Sequence, residues 1–196
     1  MIYQCRDCGA ERRDVPPNQV NLRCLLCEFG LPATREPWLT TVSAAERQVA
    51  LQHAHALRRE LSERGAGSPD SVETLSDIER QFWAVGCLYE AVHDGGFELF
   101  FHRYTFNTYL EALRGLDAMG AWIGFRLLGK AHPIITGCVD LPDDAEARRV
   151  FLAAKRNPDA QQQLDRLRQA FCSDEEDLAA LWYEFGLQHG FFQLSG

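Results

Sequence analysis

Leu75, Ile78, Phe82, Val85, Tyr89 and Val92 follow one another at spacings of 3-4-3-4-3. That rhythm stacks all of these side chains on one face of an α-helix and fits no strand, whose faces alternate every second residue. The helix it predicts ends at Gly95-Gly96, a pair suited to stopping a helix and turning the chain. Whatever the rest of the chain does, it must cover a long apolar stripe with other elements.

The flanking sequence supplies further helices. Ser43-Ala44-Ala45-Glu46 matches a capping box, in which the serine and glutamate satisfy each other's exposed amides. It opens a helix to about Arg64 with Ala45, Val49, Leu57 and Leu61 near one face, and Gly65 to Pro69 breaks it. After Gly96 comes an aromatic-rich segment from Phe97 to Phe106, then helices near 107–119 and 120–130. Pro133 to Pro142 reads as irregular or weakly extended, because proline opposes a helix interior. One helix then runs from near Pro142 to about Arg156. The next takes Asn157 as cap and Pro158 in its first turn, with Leu164, Leu167 and Phe171 inward. A last helix opens on Ser173-Asp174-Glu175-Glu176, buries Leu178, Leu181, Trp182 and Phe185, and stops at Gly190. Beyond residue 31 there is no repeat, low-complexity tract or strand series. The expected fold is mainly all-α, an acidic multi-helix domain behind a small N-terminal β zinc ribbon.

The ribbon rests on Cys5-Arg6-Asp7-Cys8 and Cys24-Leu25-Leu26-Cys27, two CxxC pairs with fifteen residues between them. Two residues between thiols let one turn present both sulfurs to one ion, and two such turns make the tetrahedral thiolate set that zinc prefers. Met1 to Gln4 and Val20 to Arg23 can form strands into the two knuckles, and Pro16-Pro17-Asn18 turns the chain between them. Iron in a rubredoxin-like site, or a disulfide pair, would also use these residues. Four protein ligands leave no open position for a substrate, so Cys5, Cys8, Cys24 and Cys27 are expected to hold one structural Zn2+. About thirty residues bury little core, so the metal would supply most of the stability there. The domain reading is therefore 1–31 ribbon, 32–69 connector and linking helix, and 70–196 all-α body.

With 46 % hydrophobic and 24 % charged residues, the composition suits a soluble globular chain. No uncharged run approaches the roughly 18 residues that span a membrane. Scattered Cys87, Cys138 and Cys172, with no apolar leader, suggest a reducing, cytoplasmic setting. Residues 1–69 hold 8 acidic and 9 basic side chains, a balance of +1; residues 70–196 hold 20 acidic and 11 basic, a balance of −9. Phosphates would be repelled by the body, which is not expected to bind DNA directly, whereas a basic protein would be attracted.

Asp174, Glu175, Glu176 and Asp177 form the densest acidic run, and Asp140, Asp143, Asp144 and Glu146 a second. Such clusters can present a phosphate-like surface to a basic partner. They are also what a helix start calls for, since acids in a first turn offset the positive end of the helix dipole. His53 and His55, two residues apart, point to different faces of a helix and cannot easily share an ion. Glu90 and His93 could serve acid–base work, with His102 near in sequence, or could simply pair at the surface. No HExxH, GxSxG or phosphate-cradling glycine loop is present, and no enzyme activity is expected.

The stretch Leu88-Tyr89-Glu90-Ala91-Val92-His93-Asp94-Gly95-Gly96-Phe97-Glu98-Leu99-Phe100-Phe101, with Tyr109 to Leu113 and Met119-Gly120-Ala121, resembles the bacterial DNA-mimic protein family. That family typically has a helix ending in Asn-Gly-Gly-Phe, a polar residue and paired aromatics. Here Asp94 stands in place of the Asn and Glu98 in place of the common Gln. The resemblance spans about residues 75–190. It implies an acidic helical domain, often a homodimer, which in one branch occupies the DNA-binding face of a transcription factor. The expected function is therefore protein binding, with a basic DNA-binding protein as the partner the resemblance implies, through Asp143, Asp144, Glu146 and Asp174–Asp177. A nucleic-acid binder led by the ribbon, an immunity or antitoxin-type protein and an unrecognised hydrolase are the alternatives.

Overall fold

A computed structural model of the chain describes residues 3–4, 11–12, 44–64, 74–154, 157–173 and 177–192. Near the N-terminus, β1 (Tyr3–Gln4) and β2 (Glu11–Arg12) pair antiparallel, Tyr3 opposite Arg12 and Gln4 opposite Glu11. Cys5, Cys8, Cys24 and Cys27, the expected second ribbon strand and the connector lie outside the described residues. From residue 44 onward the described residues are helical: α1 (Ala44–Arg64), α2 (Asp77–Gly95), α3 (Phe97–Arg103), α4 (Phe106–Ala118), α5 (Trp122–Thr136), α6 (Ala145–Ala154), α7 (Pro158–Cys172) and α8 (Leu178–Gln188).

The apolar stripe read from the sequence belongs to α2, the central helix. Residues 82–88 of α2 are all buried, so the helix is covered on every side rather than on one stripe. It packs against α1, α3, α4, α7 and α8. Its start is fixed by a capping box in which Ser76 Oγ accepts from the Glu79 amide and Glu79 Oε2 accepts from the Ser76 amide at 2.8 Å. Its end is Gly96, whose φ of 85° belongs to the region where a Cβ is strained. Gly96 turns the chain sharply into α3, and Phe97, Phe100 and Phe101 drop into the core. Trp182 of α8 is fully buried against α2, and its indole Nε1 donates to the Phe82 carbonyl at 2.9 Å.

Several boundaries differ from the sequence reading. α5 continues through Pro133 to Thr136. Proline lacks an N–H and crowds the carbonyl four residues back, but burial of Ile135 and Thr136 holds the extra turn in place. Gly137, left-handed at φ 67°, then ends it. Ser173 stands at the end of α7, where its hydroxyl donates back to the Ala170 carbonyl at 2.7 Å, and its expected partner Glu176 lies outside the described residues. α8 starts later, at Leu178, after Asp177 in a left-handed conformation. Val49 is half exposed rather than inward, whereas Leu61 is buried as expected, together with Ala54.

Candidate functional site

Two regions concentrate polar side chains, and they differ in how those side chains are used. The first lies between α1 and α2. Reading along α1 in reverse, Arg64 Nη1 meets Glu79 at 2.6 Å, Ser62 Oγ accepts from Trp83 Nε1 at 2.8 Å, and Arg58 and His55 meet Glu90. The order shows that α1 runs antiparallel to α2. Arg58 grips Glu90 with two nitrogens, Nε at 2.8 Å from Oε1 and Nη2 at 2.7 Å from Oε2, while His55 Nδ1 donates to Oε1 at 2.8 Å. Burial alone would raise the Glu90 pKa; the His55 hydrogen bond and the Arg58 charge outweigh it and leave it below the usual carboxylate value.

Beneath this cluster lies Cys87. Burial pushes its thiol up to about 12, against the pull of Tyr104 and Arg58. At neutral pH it is a thiol and not a thiolate, so it behaves as a small apolar core residue. Glu90, turned toward α1, is not a partner for His93, whose Nδ1 donates to the Tyr89 carbonyl at 2.8 Å. The arrangement is that of a structural clamp, with each carboxylate oxygen held.

The second region is where α3, α5, α6 and α7 meet. Arg148 of α6 is only 2 % exposed. Its Nε donates to the His102 carbonyl at 3.2 Å and its Nη1 to the carbonyls of Pro142 and Asp143, both at 2.9 Å. A helix C-terminus leaves carbonyls without intrahelical partners and favours a cation, and Arg148 supplies one to α3. The same contacts pin the loop that carries Asp140, Asp143 and Asp144. Asp144 caps α6, its Oδ1 accepting from the Ala147 amide at 2.7 Å. Glu146 holds Arg149 by two contacts, 2.9 Å to Nε and 2.5 Å to Nη2. Asp140, Asp143, Asp144 and Glu146 are all exposed.

Of the other predicted acids, Asp177 is 5 % exposed and its carbonyl accepts from the amides of Ala180 and Leu181 at 3.0 and 3.1 Å. It is thus set apart from the exposed cluster. Asp174, Glu175 and Glu176 lie outside the described residues. Three further acids of the body pair with arginine: Asp77 with Arg80, Glu111 with Arg114 at 2.7 Å and Asp94 with Arg103 at 3.6 Å.

Beside the exposed acids opens a cleft of about 300 Å3. Its floor is apolar, formed by Ile135, Leu152 and Leu164. Among the described residues its polar lining is Glu98, His102, Arg149, Asn157 and Gln161. Three of these are already engaged. Arg149 is held by Glu146, Asn157 Oδ1 accepts from the Asp159 amide at 2.9 Å, and Gln161 Nε2 donates to Asp165 at 3.1 Å. The Glu98 and His102 side chains, one turn apart on α3, have no hydrogen-bond or ion-pair partner among the described residues. Reading the sequence for charge runs missed this pair. The available signal was polar residues at i and i+4 on a short helix whose phenylalanines all face inward.

A protein-family model described as DMP19-like protein matches residues 73–188. The chain belongs to the DMP19-like protein family. The match bears out the DNA-mimic resemblance read over residues 75–190, and it takes in α2 through α8 while leaving out α1 and the cysteine pairs. No curated protein and no solved structure matches the chain. Relative to the DMP19-like unit, α1 is an added helix clamped onto α2 and α8. Among the described residues there is no helix long and apolar enough to cross a membrane, and no group of three metal-ligating side chains.

Proposed function

We propose that the protein is a non-enzymatic, cytoplasmic binding protein whose acidic helical body occupies the DNA-binding face of a basic partner. The observation that carries this reading is membership of the DMP19-like family across α2–α8, in a body with a −9 balance over residues 70–196. The exposed acids at the start of α6 support it, since Asp140, Asp143, Asp144 and Glu146 gather where the chain passes from α5 to α6. Asp174–Glu176 are a second candidate contact. Attraction between such a face and a basic one acts mainly on encounter and weakens with salt.

The test is a pull-down from the native cell, then a competition assay with the captured protein and its DNA. Displacement of that DNA, slowed by reversal of Asp143 and Asp144 to lysine, supports the reading. Capture of partners that bind no nucleic acid, or direct salt-sensitive binding of duplex DNA by the protein, would sink it.

The same proposal gives Cys5, Cys8, Cys24 and Cys27 one structural zinc. It is supported by the paired CxxC spacing and by the β1–β2 ladder, whose strands flank the first pair in sequence. Elemental analysis should find one zinc per chain and none after Cys24→Ser, with the helical signal of the body retained.

A further inference from the structure

We propose that the cleft between α3, α6 and α7 receives an arginine side chain from a basic protein partner. This rests on the reading of the body as a partner-binding domain and names the contact that would anchor it. Charge on a rim mostly speeds association and sets salt dependence, whereas affinity comes from side chains inserted into desolvated pockets. At about 300 Å3 the cleft stands at the small end of ligand pockets. It suits one long side chain better than a bulky cofactor.

Its chemistry selects the occupant. The floor of Ile135, Leu152 and Leu164 is apolar and matches the methylene stem of an arginine. Glu98 is the carboxylate in the lining without an internal partner among the described residues, so its two oxygens can accept two N–H groups from one edge of a guanidinium. His102, one turn along α3, offers a ring against which a planar guanidinium can lie. Arg149, the cation in the lining among the described residues, is already held by two contacts from Glu146. It therefore repels an incoming cation less than its position suggests. The backbone carbonyls of His102 and Asp143 share Arg148, which sets the exposed Asp143 and Asp144 near the end of α3 that carries His102.

The experiment uses the full chain, isotope-labelled, titrated with N-acetyl-arginine amide, its uncharged isostere N-acetyl-citrulline amide, and inorganic phosphate. The arginine probe should shift the amide signals of Glu98, His102, Leu152 and Leu164 and saturate on the order of 1 mM, as expected of a single small ligand. The citrulline probe should bind at least about tenfold more weakly, because it lacks the charge that Glu98 recognises. Glu98→Gln should weaken arginine by a similar factor. Ala153→Phe, which fills the cleft from an exposed lining position and keeps Glu98, should abolish the shifts. Unchanged far-ultraviolet circular dichroism checks that both variants fold.

Equal binding of citrulline, undiminished binding to the Glu98→Gln variant, or shifts scattered over Asp77, Asp117 and Asp165 would overturn the proposal. Phosphate shifting the same signals would overturn it too, by marking an anion site built on Arg149. These outcomes are separable from the DNA competition. A cleft that ignores arginine leaves displacement of DNA by the acidic rim intact, and a cleft that binds arginine without such displacement defeats only the mimic reading.

Discussion

Glu90 and Glu98 sit on successive helices, on either side of the Gly96 turn, and have opposite fates. Glu90 is gripped by Arg58 and His55 from α1. Glu98 faces a cleft and has no internal partner among the described residues. The contrast teaches that net charge is a poor guide to where an acidic protein offers charge. Among the described residues Asp77, Glu79, Glu90, Asp94, Glu111 and Glu146 are each paired with an arginine, whereas Glu98 and the exposed Asp140, Asp143 and Asp144 are not. A charge that fastens one helix to another is a stability device, and a charge left facing an open cleft is available for binding.

The sharpest way to break the closed side is Trp182→Ala. The indole is fully buried, lies against Phe82 at a ring separation of 5.1 Å, and donates to a buried carbonyl. Its loss should cost about 3–5 kcal/mol, the range for emptying a large aromatic from a core. Chemical denaturation followed by far-ultraviolet circular dichroism reads this directly. A cost below about 1 kcal/mol would mean that α8 is not seated on α2 as described.

The open side has its own pin, and Arg148→Ala tests it. Removal leaves three carbonyls, of His102, Pro142 and Asp143, without their shared cationic donor. The expected cost is about 2–3 kcal/mol, given the worth of hydrogen bonds to charged groups and the penalty for orphaned buried acceptors. Hydrogen exchange should show the loss concentrated at the end of α3 and the start of α6. If the two sides are built as described, exchange in α1 should be almost unchanged by this variant and strongly raised by Trp182→Ala.

Much of the fold was readable because its decisive signals were periodic. The α2 stripe, the Asn157-Pro158 start of α7 and the inward faces of α7 and α8 all follow from spacing and capping chemistry. The failures have physical causes. Ser173 offered a plausible helix start, yet it closes α7 and the last helix begins five residues later, at Leu178. The true box, Ser76 with Glu79, was equally legible but stood next to a stronger apolar signal. Pro133 argued for a break that burial of Ile135 and Thr136 overrode. Arg148 carried no local mark at all, since its burial depends on carbonyls contributed by His102 and the 142–143 loop. The cleft was illegible for the same reason, being made where separate helices meet, and no one-dimensional pattern places Glu98 beside Leu164.

A gentler comparison uses pH. The folded Glu90 pKa lies below its ordinary value of 4.5. A group depressed on folding contributes stability above the unfolded pKa, and that contribution is lost as pH falls through the folded one. The clamp should therefore hold at neutral pH and fade below about 4.5. Glu90→Gln should cost about 1 kcal/mol at pH 7, a figure discounted because the pair partly faces water. The difference between wild type and variant should shrink as acid is added. A constant difference from pH 7 to pH 3 would show that the Arg58 and His55 contacts carry no linked stability.

Glu98→Gln should have the smallest effect on folding and so sharpens the comparison most. Glu98 holds no neighbour in place, and the amide keeps the shape while removing the charge. A half-exposed side chain with no internal partner changes stability by less than about 0.5 kcal/mol when replaced conservatively. The measurement is a pair of denaturation series at pH 7, Glu90→Gln and Glu98→Gln, run under identical conditions. If Glu98→Gln destabilises as much as Glu90→Gln, then Glu98 is a second fastening charge and the cleft is part of the scaffold. If it leaves folding untouched while weakening arginine binding, the turn at Gly96 divides a carboxylate used by the fold from one kept for a partner.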